Sequence, residues 1–249
     1  MNISRLADRV VLITGAESGI GREIAQRAAA EGAAIAAIGL DSEALDSLRG
    51  VLEGDGRRVA VRTADVTDAA ALTAAVDELA RALGPFHVAH ANAGILAPAA
   101  SIGELDLDVW ERVLAVNLTG VLLTFRAAIP HLVPDGAVLL ATGSSTAVRP
   151  GVGMLPYVAA KAGVHAIARS LALELAPRGI RVNVIAPGLT DTPMTRAIPG
   201  HIERGLEAVP QGALVAAHDV AALAVHLMSD DARSVTGSVF TIDAGRTAV

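Results

Sequence analysis

The chain has 249 residues, 52% of them hydrophobic and 18% charged, so it can bury a large core and lacks the composition of a disordered protein. Its net charge is −6 and its basic residues form no cluster, which argues against nucleic acid or an anionic membrane as a partner. It has no cysteine, which excludes disulfides, thiol catalysis and cysteine zinc sites, and no apolar stretch approaches the about 20 residues of a membrane span.

Short β-rich runs alternate with longer helical segments along the chain. Strands are predicted at Val10–Thr14, Ala34–Gly39, Arg58–Thr63, Phe86–Ala91, Ala137–Thr142, Arg181–Ala186 and Ser238–Ile242. Helices are predicted at about Gly19–Glu31, Ser42–Glu53, Asp68–Leu83, Asp106–Val133 with an interruption near Asn117, Tyr157–Ala176 and Asp219–Ser229. This alternation is typical of βαβ units. We therefore expect one α/β domain over residues 1–249, a Rossmann-type doubly wound parallel sheet of about seven strands with helices on both faces.

Two segments bear on location and dynamics. Met1–Asp8 is charged, and the apolar run Val10–Ile13 after it is too short for the core of a signal peptide, so we expect a soluble, cytoplasmic protein. The least regular segment, Leu189–Val215, contains several prolines and glycines. We interpret it as a mobile flap over a site; a plain surface excursion explains its composition equally well.

A glycine-rich turn, Thr14–Gly21, joins the first predicted strand to the first helix. Gly15 permits a tight turn, Gly19 lets the backbone approach a pyrophosphate, and Gly21 lets the helix pack closely on the strand. The helix N-terminus offers unpaired N–H groups and a positive dipole end to phosphate. Three glycines after a strand also make an ordinary turn, but the strand–turn–helix context favours dinucleotide binding.

The chain has one tyrosine and one lysine, Tyr157 and Lys161, and its nineteen other basic side chains are arginine. Random placement would put the two four positions apart roughly once in 125 cases. Residues i and i+4 share one face of a helix. A lysine kept beside the tyrosine suggests a role that arginine does not fill, that of a compact ammonium on a flexible stem.

The pair suggests general acid–base chemistry. A free phenol has a pKa near 10, whereas a general base works best when its pKa lies near the working pH. A neighbouring ammonium and a cationic nicotinamide both favour phenolate, so we expect them to lower the pKa of Tyr157. The alternative is an ordinary tyrosine beside a solvated lysine, because this spacing is common by chance.

Several motifs, in order and over essentially the full length, resemble those of the short-chain dehydrogenase/reductase family. They are the glycines of Thr14–Gly21, Asp65-Val66, Asn92-Ala93-Gly94, Asn117 within Ala115–Gly120, Ser144 thirteen residues before Tyr157, the Tyr157/Lys161 pair, Pro187-Gly188 with Thr192, Val235–Gly237 and Ile242–Gly245. The sequence departs from the family in having Ala91 before Asn92, where a second asparagine is usual, and His87 where an aspartate usually opens the fourth strand.

The resemblance implies hydride transfer between a nicotinamide cofactor and a secondary alcohol or ketone. Ser144 would hold the substrate oxygen near Tyr157, which exchanges the proton. Asn117 would hold a water of a proton relay that, with Lys161, connects the site to solvent. Ser145 is the alternative residue for holding the substrate oxygen. If it does not have that role, its hydroxyl supports the loop.

The resemblance also implies the binding residues. For the coenzyme they are Gly15, Ser18, Gly19, Ile20, Gly21, Leu40, Asp41, Asp65, Val66, Asn92, Ala93, Gly94, Tyr157, Lys161, Pro187, Gly188 and Thr192. For the substrate they are Ser144, Tyr157, Leu96, Val148, Met154, Leu155, Leu189 and Met194. The substrate set is mostly aliphatic, which suggests a modest apolar or weakly polar alcohol or ketone. Taken alone, Asp65 fits an adenine contact and a turn cap equally well.

We expect the coenzyme to be NAD, with NADP as the alternative. The second strand ends in Gly39-Leu40-Asp41, whereas NAD enzymes of the family often have Asp at position 39 and NADP enzymes often have Arg at position 40. Glu17 and Asp41 would repel a 2′-phosphate, and Asp41 is a candidate to meet the ribose 2′-hydroxyl. Arg22 would favour NADP if its side chain turned back towards the phosphate.

Two other functions remain open, an NADP-dependent 3-oxoacyl thioester reductase and a catalytically silent NAD(P)-sensing protein. The intact Ser144, Tyr157 and Lys161 argue against the silent protein. We predict no metal site, because His87 and His90 point to opposite faces of a strand.

A homotetramer is expected, because Val158–Leu175 is apolar around much of its circumference and the family places this helix, with Asp106–Val133, at a subunit interface. We expect His165 in packing or a subunit contact and Arg149 in solvent.

Overall fold

The structure is a computed structural model that describes residues 4–249; the first residues of the charged N-terminal segment, 1–3, lie outside it. Seven parallel strands form one sheet in the order β3-β2-β1-β4-β5-β6-β7. They are β1 (Val10–Thr14), β2 (Ala34–Gly39), β3 (Val59–Thr63), β4 (Val88–Ala91), β5 (Val138–Thr142), β6 (Arg181–Pro187) and β7 (Val239–Ile242). The expected doubly wound parallel sheet is confirmed, with boundaries that differ by two residues at most.

Helices cover both faces of the sheet. They are α1 (Gly19–Ala30), α2 (Ser42–Gly54), α3 (Ala69–Leu83), α4 (Leu107–Leu114), α5 (Gly120–Ala128), α6 (Leu155–Leu175), α7 (Pro193–Arg196), α8 (His201–Leu206) and α9 (Ala217–Met228). Apolar residues of α1, α2 and α9, such as Ile24 and Val225, pack on one face. Residues of α3, α5 and α6, such as Phe125 and Val164, pack on the other. The residues of the five inner strands are therefore buried on both sides, which explains their largely apolar runs, whereas the edge strands β3 and β7 are only partly buried.

The predicted interruption near Asn117 is a π-helical turn, Ala115–Thr119, between α4 and α5. Asn117 Nδ2 donates to the carbonyl of Val113 at 3.0 Å, so a side chain takes an acceptor one turn back along the helix. The segment Leu107–His131 contains an 18-residue window with a mean hydropathy of 1.6 and so meets the length and composition of a membrane-crossing helix. The expectation that no stretch approaches such a span was therefore wrong, although core helices pass the same test, and this one packs against α3 and α6.

The segment Leu189–Val215 is more regular than expected, because it contains α7 and α8. Thr192 begins α7 by accepting a hydrogen bond from the backbone of Thr195, whose hydroxyl accepts one from the backbone of Thr192 in return. The segment follows β6 at the carboxyl end of the sheet. Its closure over a site stays a prediction.

The order of the strands sets the place of the site. β1 lies between β2 and β4, so the chain winds outwards in opposite directions from this point. A crevice opens at the carboxyl ends of strands where the order reverses in this way, and ligands of open α/β sheets bind there. The turn after β1 carries Gly15, and the turn after β4 carries Asn92.

Candidate active site

A cavity of about 430 Å³ lies at these carboxyl ends. It brings together most of the residues predicted for the coenzyme: Gly15, Ser18, Gly19, Ile20, Leu40, Asp65, Val66, Asn92, Ala93, Gly94, Tyr157, Lys161, Pro187, Gly188 and Thr192. Two predicted coenzyme residues, Gly21 and Asp41, are not part of its lining. Asp65 has the alternative role as well, because its Oδ1 accepts hydrogen bonds from the backbone and hydroxyl of Thr67, both at 2.8 Å.

The phosphate turn is held by close packing and by an asparagine. A Cβ at Gly21 would collide with the carbonyl of Gly15, with the carbonyl carbon only 2.8 Å away, so Gly21 serves helix–turn packing as predicted. Asn92 Nδ2 donates to the carbonyls of Thr14 at 3.2 Å and Gly15 at 3.1 Å. Its Oδ1 accepts from Thr142 Oγ1 at 2.9 Å. The turn is thereby fixed to the ends of β1, β4 and β5.

This turn fits the pyrophosphate of a dinucleotide. Ser18 is the N-cap of α1, but its side chain makes no capping hydrogen bond, and the first turn of the helix carries no acidic residue. The first N–H groups of α1 are therefore left to an anion in the cavity, where the helix dipole favours negative charge.

Ser144 is prepared to donate a hydrogen bond. Its Oγ accepts from the backbone N–H of Thr146 at 3.2 Å and from the Thr146 hydroxyl at 2.8 Å. A hydroxyl has two acceptor sites and one donor, so both acceptor sites are taken and the hydrogen remains available. Ser144 and Tyr157 line the same cavity.

Lys161 is buried, with its Nζ donating to the carbonyl of Thr142 at 2.8 Å and lying 5.7 Å from the centre of the Tyr157 ring. Burial lowers the pKa of Lys161 to about 8, because the charged ammonium loses solvation. Burial also raises the pKa of Tyr157, and the Ser144 side chain opposes this more weakly. In the protein without coenzyme, desolvation therefore outweighs the opposing Ser144 side chain, and the expected lowering of the Tyr157 pKa by the ammonium together with the nicotinamide stays a prediction.

Asn117 ties the π turn to the loop after β4. Its Oδ1 accepts from the backbone N–H of Ile95 at 3.1 Å, and its Nδ2 donates to the Ile95 carbonyl at 2.9 Å. A Cβ at Gly94 would lie 2.7 Å from Asn117 Oδ1 and 3.6 Å from Lys161 Nζ. Asn117 and Lys161 therefore approach the same glycine, while a relay water between them stays a prediction.

The predicted substrate residues divide into two groups. Ser144, Tyr157 and Met194 line the cavity. The others, which are not part of its lining, are Leu96, Val148, Met154, Leu155 and Leu189. Val148 and Leu155 are 58% and 46% exposed, and Leu189 lies against Gly205. The prediction missed several lining residues: Ile95, Thr142, Gly143, Thr190 and Thr195. Thr142 carried a signal, since it is the polar residue that ends an apolar strand.

Arg149 was expected in solvent, and this expectation is corrected. Its Nη1 donates to the carbonyl of Arg246, and Arg246 Nη1 donates back to the Arg149 carbonyl at 2.7 Å and to Ser145 Oγ at 3.4 Å. Ser145 is therefore bound to the C-terminal segment and is not part of the cavity lining. This favours Ser144 over Ser145 as the serine that binds the substrate oxygen. His165 is buried within the chain, in agreement with the packing role.

Comparisons with known proteins agree with this geometry. A family model described as enoyl-(acyl carrier protein) reductase matches residues 15–247. The chain is 39% identical over 245 residues to the cis-4-hydroxycyclohexanecarboxylate dehydrogenase of Sinomonas cyclohexanicum, with 98% of both chains covered. It is 35% identical over 243 residues to the 3-oxoacyl-(acyl-carrier-protein) reductase FabG of Thermotoga maritima, covering 97% of this chain and 98% of FabG.

A solved structure of a short-chain dehydrogenase from Burkholderia cenocepacia in complex with NADP superposes with a TM-score of 0.93. The two are 37% identical, and the match covers 97% of this chain and 99% of the other. The chain therefore belongs to the short-chain dehydrogenase/reductase family and is a nicotinamide-dependent oxidoreductase that acts on alcohols or the matching carbonyls.

Proposed function

We propose that this chain oxidises a secondary alcohol, or reduces the matching ketone, with Tyr157 as the general acid–base. In the oxidation, the carbinol C–H bond breaks with its electron pair, the hydroxyl proton passes to the Tyr157 oxygen, and the C=O bond forms. A bound nicotinamide coenzyme would supply the hydride acceptor. The observation that carries the proposal is that one cavity brings Ser144, Tyr157 and Lys161 together with the coenzyme residues.

Each side chain has a role that its contacts support. Ser144, whose acceptor sites are taken by Thr146, donates to the substrate oxygen and orients it towards Tyr157. Lys161, held by the Thr142 carbonyl, places a positive charge beside the tyrosine ring. Because burial alone raises the pKa of Tyr157, phenolate formation depends on the positive nicotinamide ring of the oxidised coenzyme as well as on Lys161. Asn117 supports the proton relay to solvent.

The substrate we propose is a compact cyclic or branched secondary alcohol. The cavity wall offers the apolar side chains of Ile95 and Met194 beside the hydroxyls of Thr190 and Thr195. The Sinomonas relative, by its name, acts on a hydroxycyclohexane. We therefore expect cyclohexanol derivatives to be oxidised with a kcat/KM at least about tenfold above that of short linear alcohols, as one well-filled apolar pocket allows.

A 3-oxoacyl thioester reductase is the second candidate, favoured by the 35% identity to FabG. One panel, followed at 340 nm with both coenzymes, separates the two functions: substituted cyclohexanols, 2,3-butanediol and acetoacetyl thioesters. Our proposal expects turnover of the secondary alcohols. A clear preference for the thioester would assign the second function. No absorbance change with any substrate would favour a catalytically silent NAD(P)-binding protein.

The coenzyme we propose is NAD. The segment around the end of β2 presents Glu17 and Leu40 to the cavity and no basic side chain. The Arg22 guanidinium does not line the cavity, because it donates to the Ala44 carbonyl and the Ser47 hydroxyl, each at 3.2 Å, and to the backbone carbonyl of Glu17 at 3.5 Å. A 2′-phosphate at the end of β2 would therefore meet negative charge, since the basic residues that line the cavity, Arg112 and Lys161, belong to α4 and α6. The comparison of kcat/KM for NAD and NADP with one substrate tests this, and a tenfold preference for NADP would contradict it.

We also propose a homotetramer. Leu173 on α6 is 81% exposed, and Leu107 and Leu122 on α4 and α5 are 69% and 45% exposed, so neighbouring helices present apolar side chains to solvent. The edge strand β7 is only partly buried. A second copy that covers the helices and a third that covers the edge would bury both surfaces. Light scattering at micromolar concentration should give four times the 25.2 kDa chain mass, and a monomer mass would contradict the proposal.

A further inference from the structure

The end of β2 lacks the acceptor that a ribose diol requires. Gly39 has no side chain, and the Leu40 side chain is apolar and 64% exposed. Asp41, the residue expected to meet the ribose, begins α2 instead, since its Oδ1 accepts from the backbone N–H of Ala44 at 3.0 Å. This carboxylate is engaged as a helix cap, and Asp41 does not line the cavity.

The carboxylate of Glu17 lies where the side chain of a residue at position 39 would lie. A Cβ built on Gly39 would lie 2.5 Å from Glu17 Cδ and would collide with Oε2. The Glu17 carboxylate thus fills the volume of a side chain at position 39, although it comes from the phosphate turn. Glu17 Oε1 accepts from the backbone N–H of Leu40 at 3.1 Å, which anchors the carboxylate there. The glycine at 39 is what makes this arrangement possible.

The second oxygen of this carboxylate has no donor. Glu17 Oε2 is buried and has no hydrogen-bond partner among residues 4–249. The neighbouring guanidinium of Arg22 donates to α2 and to the backbone carbonyl of Glu17, but not to the Glu17 carboxylate. A buried acceptor without a donor costs free energy, so such a group in a binding cavity indicates a missing ligand donor.

We propose that Glu17 determines coenzyme specificity by accepting a hydrogen bond from the adenine ribose hydroxyls of NAD, in place of an acidic residue at position 39. The inference deepens the proposed use of NAD and rests on it. A ribose hydroxyl is a neutral donor and would supply the hydrogen bond that Glu17 Oε2 lacks. A 2′-phosphate presents negative oxygens to the same carboxylate, so Glu17 both selects NAD and rejects NADP.

The test is a fluorescence titration of the purified protein with NADH and NADPH, which measures binding without turnover. Glu17→Ser should weaken NADH binding about tenfold, as expected for a lost hydrogen bond to a charged acceptor, and should leave NADPH binding unchanged or tighter. Glu17→Gln keeps the size of the side chain and should also lose selectivity. Circular dichroism and thermal melts confirm that each variant is folded.

Two controls separate recognition from loop structure. Glu23→Ser removes the same charge from α1 at a residue that is not part of the cavity lining, and it should leave the NADH/NADPH ratio unchanged. Asp41→Ala should cost stability through its lost helix cap and also leave the ratio unchanged. The double variant Glu17→Ser/Gly39→Asp moves the carboxylate to position 39 without the collision and should regain NADH binding to within about threefold of the wild type.

The outcomes distinguish this inference from the proposed coenzyme. Tighter binding of NADPH than NADH by the wild-type protein would contradict the use of NAD. An equal loss of NADH and NADPH binding in Glu17→Ser and Glu17→Gln, with no recovery in the double variant, would show that Glu17 only shapes the turn and would overturn its role in specificity.

Discussion

The ammonium of Lys161 lies 5.7 Å from the centre of the Tyr157 ring and donates its hydrogen bond to the Thr142 carbonyl, 2.8 Å away. The only lysine and the only tyrosine of the chain are therefore held in one site. Burial shifts their pKa values in opposite directions, with that of Lys161 lowered and that of Tyr157 raised. Both shifts disfavour the charged forms. The folded protein therefore bears a free-energy cost for ionising Lys161 and Tyr157 in the buried site where the proposed proton transfer takes place.

The cost of burying Lys161 should be visible in the pH dependence of stability. Its pKa falls from 10.5 to about 8 on folding, so between these values the unfolded chain binds more protons and native stability rises with pH. Relative to Lys161→Met, the wild-type free energy of unfolding should rise by about 3 kcal/mol from pH 8 to pH 10.5. Tyr157, whose raised pKa opposes folding only above pH 10, is present in both proteins.

Urea unfolding of the two proteins at equal concentration, repeated across this pH range, gives the difference directly. A difference that stays flat with pH would show that the Lys161 pKa is not depressed in the folded state.

The two adjacent serines should respond differently to removal of the hydroxyl. Ser144→Ala should lower kcat/KM about 10²-fold, the usual loss for a donor to a reacting oxygen. Ser145→Ala, which removes only the acceptor used by Arg246 at 3.4 Å, should leave kcat/KM within about threefold. Steady-state kinetics on both variants decide the assignment, and a larger loss in the Ser145 variant would reverse it.

Leu40→Arg should improve the use of NADP relative to NAD. Position 40 lines the cavity next to Glu17, and its side chain is 64% exposed, so an arginine has room to meet a 2′-phosphate. We expect a shift of about tenfold or more in the NADP/NAD ratio of kcat/KM. The exposed Val51→Arg on α2 adds the same charge away from the cavity and serves as the control; an equal shift there would indicate a general effect of charge.

Gly21→Ala should weaken both the fold and coenzyme binding. The new methyl group would collide with the Gly15 carbonyl, so the helix and the turn must separate, at a cost of about 1–3 kcal/mol. Gly50→Ala, in α2 with nothing within 4 Å of the added carbon, is the matched control. It should instead stabilise the helix by about 0.5–1 kcal/mol. Thermal melts and NADH titration compare the two, and equal behaviour would remove the packing role assigned to Gly21.

Much of the fold followed from local pattern. The strands and helices are predictable because apolar runs and glycines act within a few residues, as with the Thr14–Gly21 turn and the apolar spacing of α3. The helix interruption near Asn117 was also predicted, but not its π-helical form. Family motifs then placed most coenzyme residues around the cavity.

The remaining features depend on side chains that meet across the fold. The local sequence does not show that Glu17 turns over Gly39, or that Asp41 is engaged as a cap. Arg149 and Arg246 are 97 positions apart, and their mutual hydrogen bonds exist only once the C-terminal segment packs on the serine loop. The aliphatic residues Leu96 and Leu189 matched a family position but not the wall of this cavity, because loop geometry decides which face they present.

Tyr157→Phe tests whether Tyr157 transfers the proton that accompanies hydride transfer. The variant keeps the ring and removes only the hydroxyl, so the fold and NADH binding should be unchanged. We expect kcat with the best secondary alcohol to fall by at least about 10²-fold, the usual scale for loss of general acid–base catalysis. Near-normal turnover at 340 nm by a folded, coenzyme-binding Tyr157→Phe protein would show that Tyr157 is not the general acid–base.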